Sequence, residues 1–351
     1  MIERVKLQDV TIFDEFEWDG LSNVNLVIGE NDTGKSNLLK MLYAVTRSVQ
    51  EHQQSIEQDP WKERLAKKLQ WTFQPPNLDL GKIVRRGGGP LEVRCATPVS
   101  KSHISFEFGQ TTEKQIQTAT LPEELEEEIE SLHALYLPPE EVMSTIPAIA
   151  STREQKQYIG FGDTHFDLVK ALRQPVSHAE PGYSREYDVA FRLEELYDGS
   201  VHQKRKGEFE YRKGKQRFSM TQTADGVKKI AQVVHLLQSE ELAAGSTFFI
   251  DEPEATLHPE AILDFVELLV ELAKANIQVF VATHSYVVLK QFELLAKEHE
   301  QRTPICVLSR NEKESGIEAE FADLRERIPM NAILEASLTL YDRDIDLALS
   351  K

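Results

Sequence analysis

Gly29-Glu30-Asn31-Asp32-Thr33-Gly34-Lys35-Ser36 fits the pattern G-x-x-x-x-G-K-[ST] at every fixed position. Asn23-Val24-Asn25-Leu26-Val27-Ile28 precedes it and reads as a buried strand. Ser36-Asn37-Leu38-Leu39-Lys40-Met41-Leu42 follows and opens a helix with apolar residues at helical spacing. Strand, glycine-bounded loop and helix N-terminus together make an anion trap. Successive backbone N–H groups point inward, the helix dipole adds partial positive charge, and glycine lets the backbone close around phosphates without a Cβ clash. Lys35 is then placed to reach β- and γ-phosphates, and the Ser36 hydroxyl to ligate Mg²⁺. Residues Gly29 to Asn37 are thus expected to bind a nucleoside triphosphate.

Composition sets the frame around this loop. The 351 residues suffice for roughly two domains of ordinary size, and 40% hydrophobic with 28% charged residues is the balance of a soluble globular protein. No apolar run is long enough to span a membrane. The start, Met1-Ile2-Glu3-Arg4-Val5-Lys6, alternates like a strand and lacks the apolar core of a secretion signal. Cys95 and Cys306 stand far apart without metal-ligand spacing, so they read as buried thiols of a reducing cytoplasm. A net charge of −18 argues against general nucleic-acid coating while leaving room for one basic patch.

Along the chain, residues 1–28 read as short strands, with Asp19-Gly20 as a hairpin signal. A helix is expected from Pro60 to Leu69, and Gly87-Gly88-Gly89-Pro90 marks a joint before strands at Leu91–Ala96 and His103–Phe108. The acidic run 121–130 keeps Leu121, Leu125 and Ile129 at helical spacing and reads as a solvated helix. Residues 135–149 look like a strand ending in a Pro-Pro turn, 186–198 a helix, and 201–221 a hairpin turning at Lys213-Gly214. From Gly226 onward the periodicity sharpens. Helices at Val227–Leu237, Pro259–Ala275 and Val287–Lys297 alternate with strands at Thr247–Ile250, Ile277–Ala282 and Ile305–Leu308. That alternation predicts an α/β fold with a mostly parallel sheet covered on both faces. The core is expected to comprise 1–50 plus 218–351, with 51–217 inserted as an α+β lobe.

Two further clusters point to the phosphate loop. Thr247-Phe248-Phe249-Ile250-Asp251-Glu252-Pro253-Glu254 is an apolar strand ending in adjacent carboxylates. At a strand's C-terminal edge beside such a loop, Asp251 can hold Mg²⁺, and Glu252 can accept a proton from water attacking the γ-phosphate. The next strand ends at Val281-Ala282-Thr283-His284-Ser285, where His284 can reach the γ-phosphate or order that water.

Gly29–Asn37, then Asp251-Glu252-Pro253-Glu254-Ala255-Thr256-Leu257-His258-Pro259, then Thr283-His284-Ser285, in this order, resemble the ABC-type ATPases of the SMC/RecF/OLD group. The pattern is most similar to stand-alone, OLD-like ATPases (AAA_15/AAA_21-type) of prokaryotic defence modules. The resemblance implies a P-loop NTPase with an ABC-type head, two heads sandwiching ATP and Mg²⁺ as a homodimer or higher oligomer. Lys35 and Ser36 would hold phosphate and metal, Asp251 would complete the metal shell, Glu252 would be the general base and His284 the switch histidine. Thr223-Ala224-Asp225-Gly226-Val227-Lys228-Lys229 matches the signature segment that acts in trans. Here the chain departs from Leu-Ser-Gly-Gly-Gln: Ala224 replaces the serine and Asp225 the first glycine, with Lys228 or Lys229 available to compensate. The glutamine that senses Mg²⁺ in these heads has no clear counterpart among Gln54, Gln70 and Gln74.

The long stretch between Ser36 and Asp251 and the missing Ser-Gly-Gly speak against a transporter subunit, and no heptad array supplies an SMC arm. Too little chain follows His284 for a Toprim nuclease. Tyr341-Asp342-Arg343-Asp344-Ile345-Asp346 has a metal-like alternation but reads as a solvated C-terminal turn. Two functions remain: an ATPase gating a separate effector protein (nuclease or toxin) in anti-phage defence, and a RecF-like ATPase acting on DNA in repair. The run Lys204-Arg205-Lys206, Arg212-Lys213, Lys215 and Arg217 is either a DNA contact or a solvated hairpin.

Overall fold

The computed structural model describes residues 1–56, 59–98, 103–127, 133–155, 160–176, 183–204, 208–310 and 316–349. A hairpin of β1 (Arg4–Val10) and β2 (Phe13–Asp19) leads to β3 (Val24–Gly29), which runs into the phosphate loop, and α1 (Lys35–Gln53) leaves it. Helix α2 (Trp61–Phe73) packs on α1, its Trp61 indole donating to Ser48 Oγ at 3.0 Å. Strands β4 (Leu91–Ala96), β5 (Ile104–Phe108) and β6 (Thr118–Thr120), a short α3 (Glu123–Glu127) and β7 (Ala134–Leu137) follow. Helices α4 (Ile146–Ala150), α5 (Asp163–Leu172) and α6 (Arg185–Glu195) precede a small antiparallel sheet of β8 (Ser200–Gln203), β9 (Phe209–Lys213) and β10 (Gln216–Ser219). The alternating region is α7 (Asp225–Gln238), β11 (Thr247–Asp251), α8 (Pro259–Lys274), β12 (Gln278–Thr283), α9 (Tyr286–Glu298) and β13 (Pro304–Arg310). Strand β14 (Ile317–Asp323) and helix α10 (Ala332–Leu349) complete the described chain.

The core sheet has the order β14-β13-β3-β12-β11-β7, and every pairing is parallel except β13 with β14. The period of two in a strand divides its side chains between two apolar layers. Val24, Leu26 and Ile28 of β3, Phe248 and Ile250 of β11, and Val279 and Val281 of β12 enter one layer, with α5 to α9. Val27, Phe249, Phe280 and Ala282 enter the other, against α1 and α2. Phe249 and Phe280 stack there, centroids 5.2 Å apart. A sheet covered on both faces explains why these strands read as unbroken apolar runs. Their parallel direction brings the C-terminal ends of β3, β12 and β11 to one edge.

A second sheet, β2-β1-β4-β5-β6, is antiparallel throughout and caps the α1 layer. The hairpin signal at Asp19-Gly20 marks the end of β2; the turn itself is Thr11-Ile12, since Val10 pairs with Phe13. Strand β4 pairs directly with β1, and β7 pairs with β11. The 51–217 stretch, expected as an inserted lobe, therefore supplies strands to both sheets.

Elsewhere α6 and the β9–β10 hairpin fall where periodicity places them. The acidic run is helical over Glu123–Glu127, and 128–130 lie outside the described residues. Tyr341–Asp346 is helix within α10, not a turn, and no residue of that helix is buried. Cys95 and Cys306 are both buried and free. Among the described residues no helix is long and apolar enough to cross a membrane.

Candidate functional site

The loop is closed by two glycines for which no other residue substitutes. A Cβ on Gly29 would collide with the Leu308 carbonyl of β13 and approach Thr33 Oγ1. Gly34, at φ +90°, caps α1 in the left-handed region, and a Cβ there would lie 2.8 Å from Ile12 and Phe13 of the β1–β2 turn. Thr33 is fully buried and its hydroxyl donates to the Glu30 carbonyl at 2.8 Å. Asp32, also left-handed at φ +63°, pairs with Arg310 at 2.8 Å, and the Arg310 guanidinium reaches the Asn31 carbonyl. Lys35, only 6% exposed, donates to the carbonyls of Gly29 (2.8 Å) and Glu30 (2.6 Å). Burial pushes its amine below the ordinary lysine value, and the nearby Glu252, Asp251 and Glu254 offset part of that. Asn37 follows on the first turn of α1, partly buried.

Strand β11 delivers Asp251 to the same edge, register-paired with Ala282, while Thr283 pairs with Ile28. Glu252 then turns out of the strand at φ +50°, a strained conformation for a residue with a side chain, held by its N–H to the Ala282 carbonyl at 2.8 Å. His284 Nδ1 lies 3.2 Å from Glu252 Oε1 and 3.7 Å from Glu254 Oε1. Glu254 fixes the end of β12, accepting from the Thr283 hydroxyl at 2.7 Å and the His284 N–H at 3.2 Å. The structure thus brings the loop, Asp251, Glu252 and His284 together on adjacent strands.

Asp251 is 3% exposed, and burial raises its pKa despite hydrogen bonds from Ser36 and Tyr136. The Tyr136 hydroxyl donates to Oδ2 at 2.9 Å, whereas Oδ1 has no hydrogen-bond partner among the described residues. A buried carboxylate oxygen left orphaned beside a serine hydroxyl is a hard-oxygen donor pair that suits Mg²⁺.

Thr223, Ala224, Asp225 and Gly226 form the start of α7. Thr223 is held by its hydroxyl to the Ser219 carbonyl at 3.0 Å, and Ala224 is the N-cap without a side-chain cap bond. Gly226 lies against the turn after β11, where a Cβ would sit 3.0 Å from the Thr256 carbonyl. The lysines expected to compensate for the missing serine point inward instead. Lys228 pairs with Asp225 (2.8 Å) and Glu141 (3.2 Å). Lys229, 1% exposed, donates to the Glu252 carbonyl at 2.6 Å. Burial lowers its pKa to about 8, against the pull of Glu254, Glu252 and Asp251.

None of the candidate glutamines joins the site. Gln54 caps α1, and the Gln70 and Gln74 amides donate to Leu78 and Phe161 carbonyls. Sequence reasoning missed Tyr136, and it named Glu254 and Lys229 without the contacts they make here. Tyr136 had a signal, the buried run Ala134–Leu137; the roles of the other two are revealed only by what they touch. On the expected basic hairpin, Lys204 (2.6 Å), Arg212 (3.0 Å) and Arg217 (3.9 Å) converge on Glu210, and Lys213 pairs with Asp198. Arg205 and Lys206 lie outside the described residues.

A family model described as "AAA domain, putative AbiEii toxin, Type IV TA system" (AAA_21) matches residues 108–290, which hold Thr223–Gly226, Asp251–Glu252 and His284. No curated protein matches. Among solved structures, an SmcHead bound to the C-winged helix domain of ScpA aligns with a TM-score of 0.56 at 12% identity, covering 93% of this chain and 98% of that one. An Smc head domain with an extended coiled coil bound to the C-terminal domain of ScpA, derived from Pyrococcus furiosus, gives 0.54 at 11%, covering 97% and 98%. The SMC head domain from Thermotoga maritima gives 0.50 at 13%, covering 92% and 98%. The fold is that of an SMC-head-like P-loop NTPase.

Proposed function

Because the chain belongs to the AAA_21 family of AAA domains, we propose that it binds and hydrolyses ATP with Mg²⁺ and uses the cycle to pair two heads. The observation that carries this reading is the meeting of Lys35, Ser36, Asp251, Glu252 and His284 at one sheet edge, with His284 3.2 Å from Glu252. The N–H groups of Gly29 to Asn37 and the Lys35 ammonium would hold the β- and γ-phosphates. Ser36 and Asp251 would hold Mg²⁺, which when bound neutralises charge on those phosphates. Glu252 would take a proton from water as its oxygen bonds to the γ-phosphorus. The bond from that phosphorus to the β–γ bridging oxygen breaks, leaving ADP and phosphate. His284, oriented by Glu254, would steady the γ-phosphate or the water.

The Thr223–Gly226 segment is the element that a symmetric neighbour would present to the bound ATP, giving an isologous dimer. The inward lysines leave only backbone N–H groups of the α7 N-terminus for that contact. A separate effector, a nuclease or toxin in defence, would read the closure; the AbiEii description of the family and the ScpA-bound heads among similar structures support a partner protein. A RecF-like role on DNA is the other reading: Lys204, Arg212 and Arg217 share only the one carboxylate of Glu210, so the β9–β10 hairpin keeps a net positive charge. The test is phosphate release by the purified chain with and without Mg²⁺, beside Lys35→Ala. Charge-assisted contacts to phosphate are each worth about 1.5–3 kcal/mol, so Lys35→Ala should lose nucleotide binding. Undiminished ATP affinity in that variant overturns the assignment.

A further inference from the structure

Helix α1 carries Lys35 at its first turn and Arg47 three turns later, roughly 18 Å along the axis at 1.5 Å per residue, with Glu51 one turn beyond it. There α1, α2 and α5 enclose a cleft of about 440 Å³. Its wall contains six cations, Arg47, Arg64, Lys67, Lys68, Arg153 and Lys170, but only two carboxylates, Glu51 and Asp163. Asp167 lies behind them, 1% exposed, and Asp59 pairs with Arg64 at 3.9 Å, so the balance is two positive charges on a chain of net charge −18.

The deeper cations are fixed in place. Lys68, 4% exposed, contacts Glu51 (2.6 Å), Asp163 (2.8 Å) and Asp167 (2.7 Å). Burial alone would depress its ammonium, yet Asp167, Asp163 and Glu51 hold it above the usual range. The Arg153 guanidinium bonds Asp163 at 2.6 Å and lies 4.0 Å over the Trp71 ring, so its fork cannot swing away. At the rim, Lys67 is exposed with no acidic partner among the described residues, and Lys170 is half exposed while pairing with Asp167 at 3.0 Å. The inner cations Arg47, Lys68 and Arg153 are matched by Glu51, Asp163 and Asp167, so the cleft's surplus positive charge is carried at its rim. Rigid inner cations with exposed ones at the mouth are what a multiply charged anion needs.

We propose that this cleft binds a small phosphorylated ligand carrying two or more negative charges. The open rim and closed floor suit a compact phosphate group, with Arg153 and Lys68 below and Lys67 and Lys170 above.

Inorganic pyrophosphate is the probe, titrated calorimetrically into full-length Lys35→Ala so that the phosphate loop does not compete. One site is expected, weakening with added salt. Adding Lys67→Glu and Lys170→Glu should reduce affinity at least tenfold, with melting temperature measured alongside because Lys170 also pairs with the buried Asp167 at 3.0 Å. The reversal Arg94→Glu on β4, away from the cleft, should change nothing. No binding of pyrophosphate, or binding that ignores the rim reversals, overturns the proposal. So does binding of a 5′-phosphorylated single-stranded oligonucleotide where pyrophosphate fails, which would make the cleft a nucleic-acid contact.

Discussion

His284 Nδ1 and Glu252 Oε1 stand 3.2 Å apart although their strands are separated in sequence by a whole helix. Both lie where parallel strands end, and Glu254 anchors the histidine's backbone, so neither side chain needs a loop of its own. If Glu252 is the base, Glu252→Gln keeps the shape and removes the proton acceptor. ATP turnover should then fall by roughly 10²–10⁴-fold with ATP still bound. Phosphate release beside a nucleotide-binding assay decides it; normal turnover would shift suspicion to Glu254 or His284.

Tyr136→Phe deletes the hydroxyl that donates to Asp251 Oδ2 at 2.9 Å. Partners of metal-binding carboxylates typically matter by 10–100-fold in metal affinity. The Mg²⁺ concentration for half-maximal hydrolysis should rise by about that factor while the rate at saturating Mg²⁺ recovers. An equal loss at every Mg²⁺ concentration would show that Tyr136 does not act through the metal.

Glu252→Gln with ATP and Mg²⁺ should double in mass in solution and stay monomeric without nucleotide. Gly226→Asp in the same background should stay monomeric throughout, because a carboxylate then sits where a neighbour's phosphate would approach. Its Cβ also presses within 3.0 Å of the Thr256 carbonyl, so melting temperature is measured alongside. A nucleotide-dependent dimer that survives Gly226→Asp in a well-folded variant refutes the Thr223–Gly226 assignment.

Burial lowers the pKa of His235 to about 4, against hydrogen bonds to the Gln174 and Leu172 carbonyls that raise it. The unfolded chain takes up the proton near pH 6.5, the folded one near pH 4. Between those values the unfolded state binds more protons, so stability is full above about pH 6.5 and falls as pH drops towards 4. At 1.36 kcal/mol per unit, this group contributes up to about 3 kcal/mol of that loss. Urea midpoints at pH 7 and pH 5 should differ less in His235→Gln than in the parent; an equal difference would place the acid sensitivity elsewhere.

The phosphate loop, the Asp251 strand and the His284 strand were legible because each couples an apolar run to a polar end, a pattern set by local chemistry. Strand β14 was not: Ile317–Asp323 alternates on an antiparallel edge and carries only modest apolar content. Helix α5 was missed for another reason, since Asp163 and Asp167 are buried by ion pairs that only tertiary structure supplies. Lys228 and Lys229 looked like free cations because sequence shows charge but not direction. Their partners, Glu141 and the Glu252 carbonyl, come from distant segments.

The interleaving of the two sheets limits how such a chain can be re-engineered. Residues 51–217 cannot be traded as a cassette: excising them strips β1 of β4 and β11 of β7, baring two sheet edges to aggregation. The same cut removes Tyr136 and the hydrogen bond it donates to Asp251 Oδ2. The β8–β10 sheet, whose strands pair only with one another, is the place where grafted sequence would leave the nucleotide edge untouched.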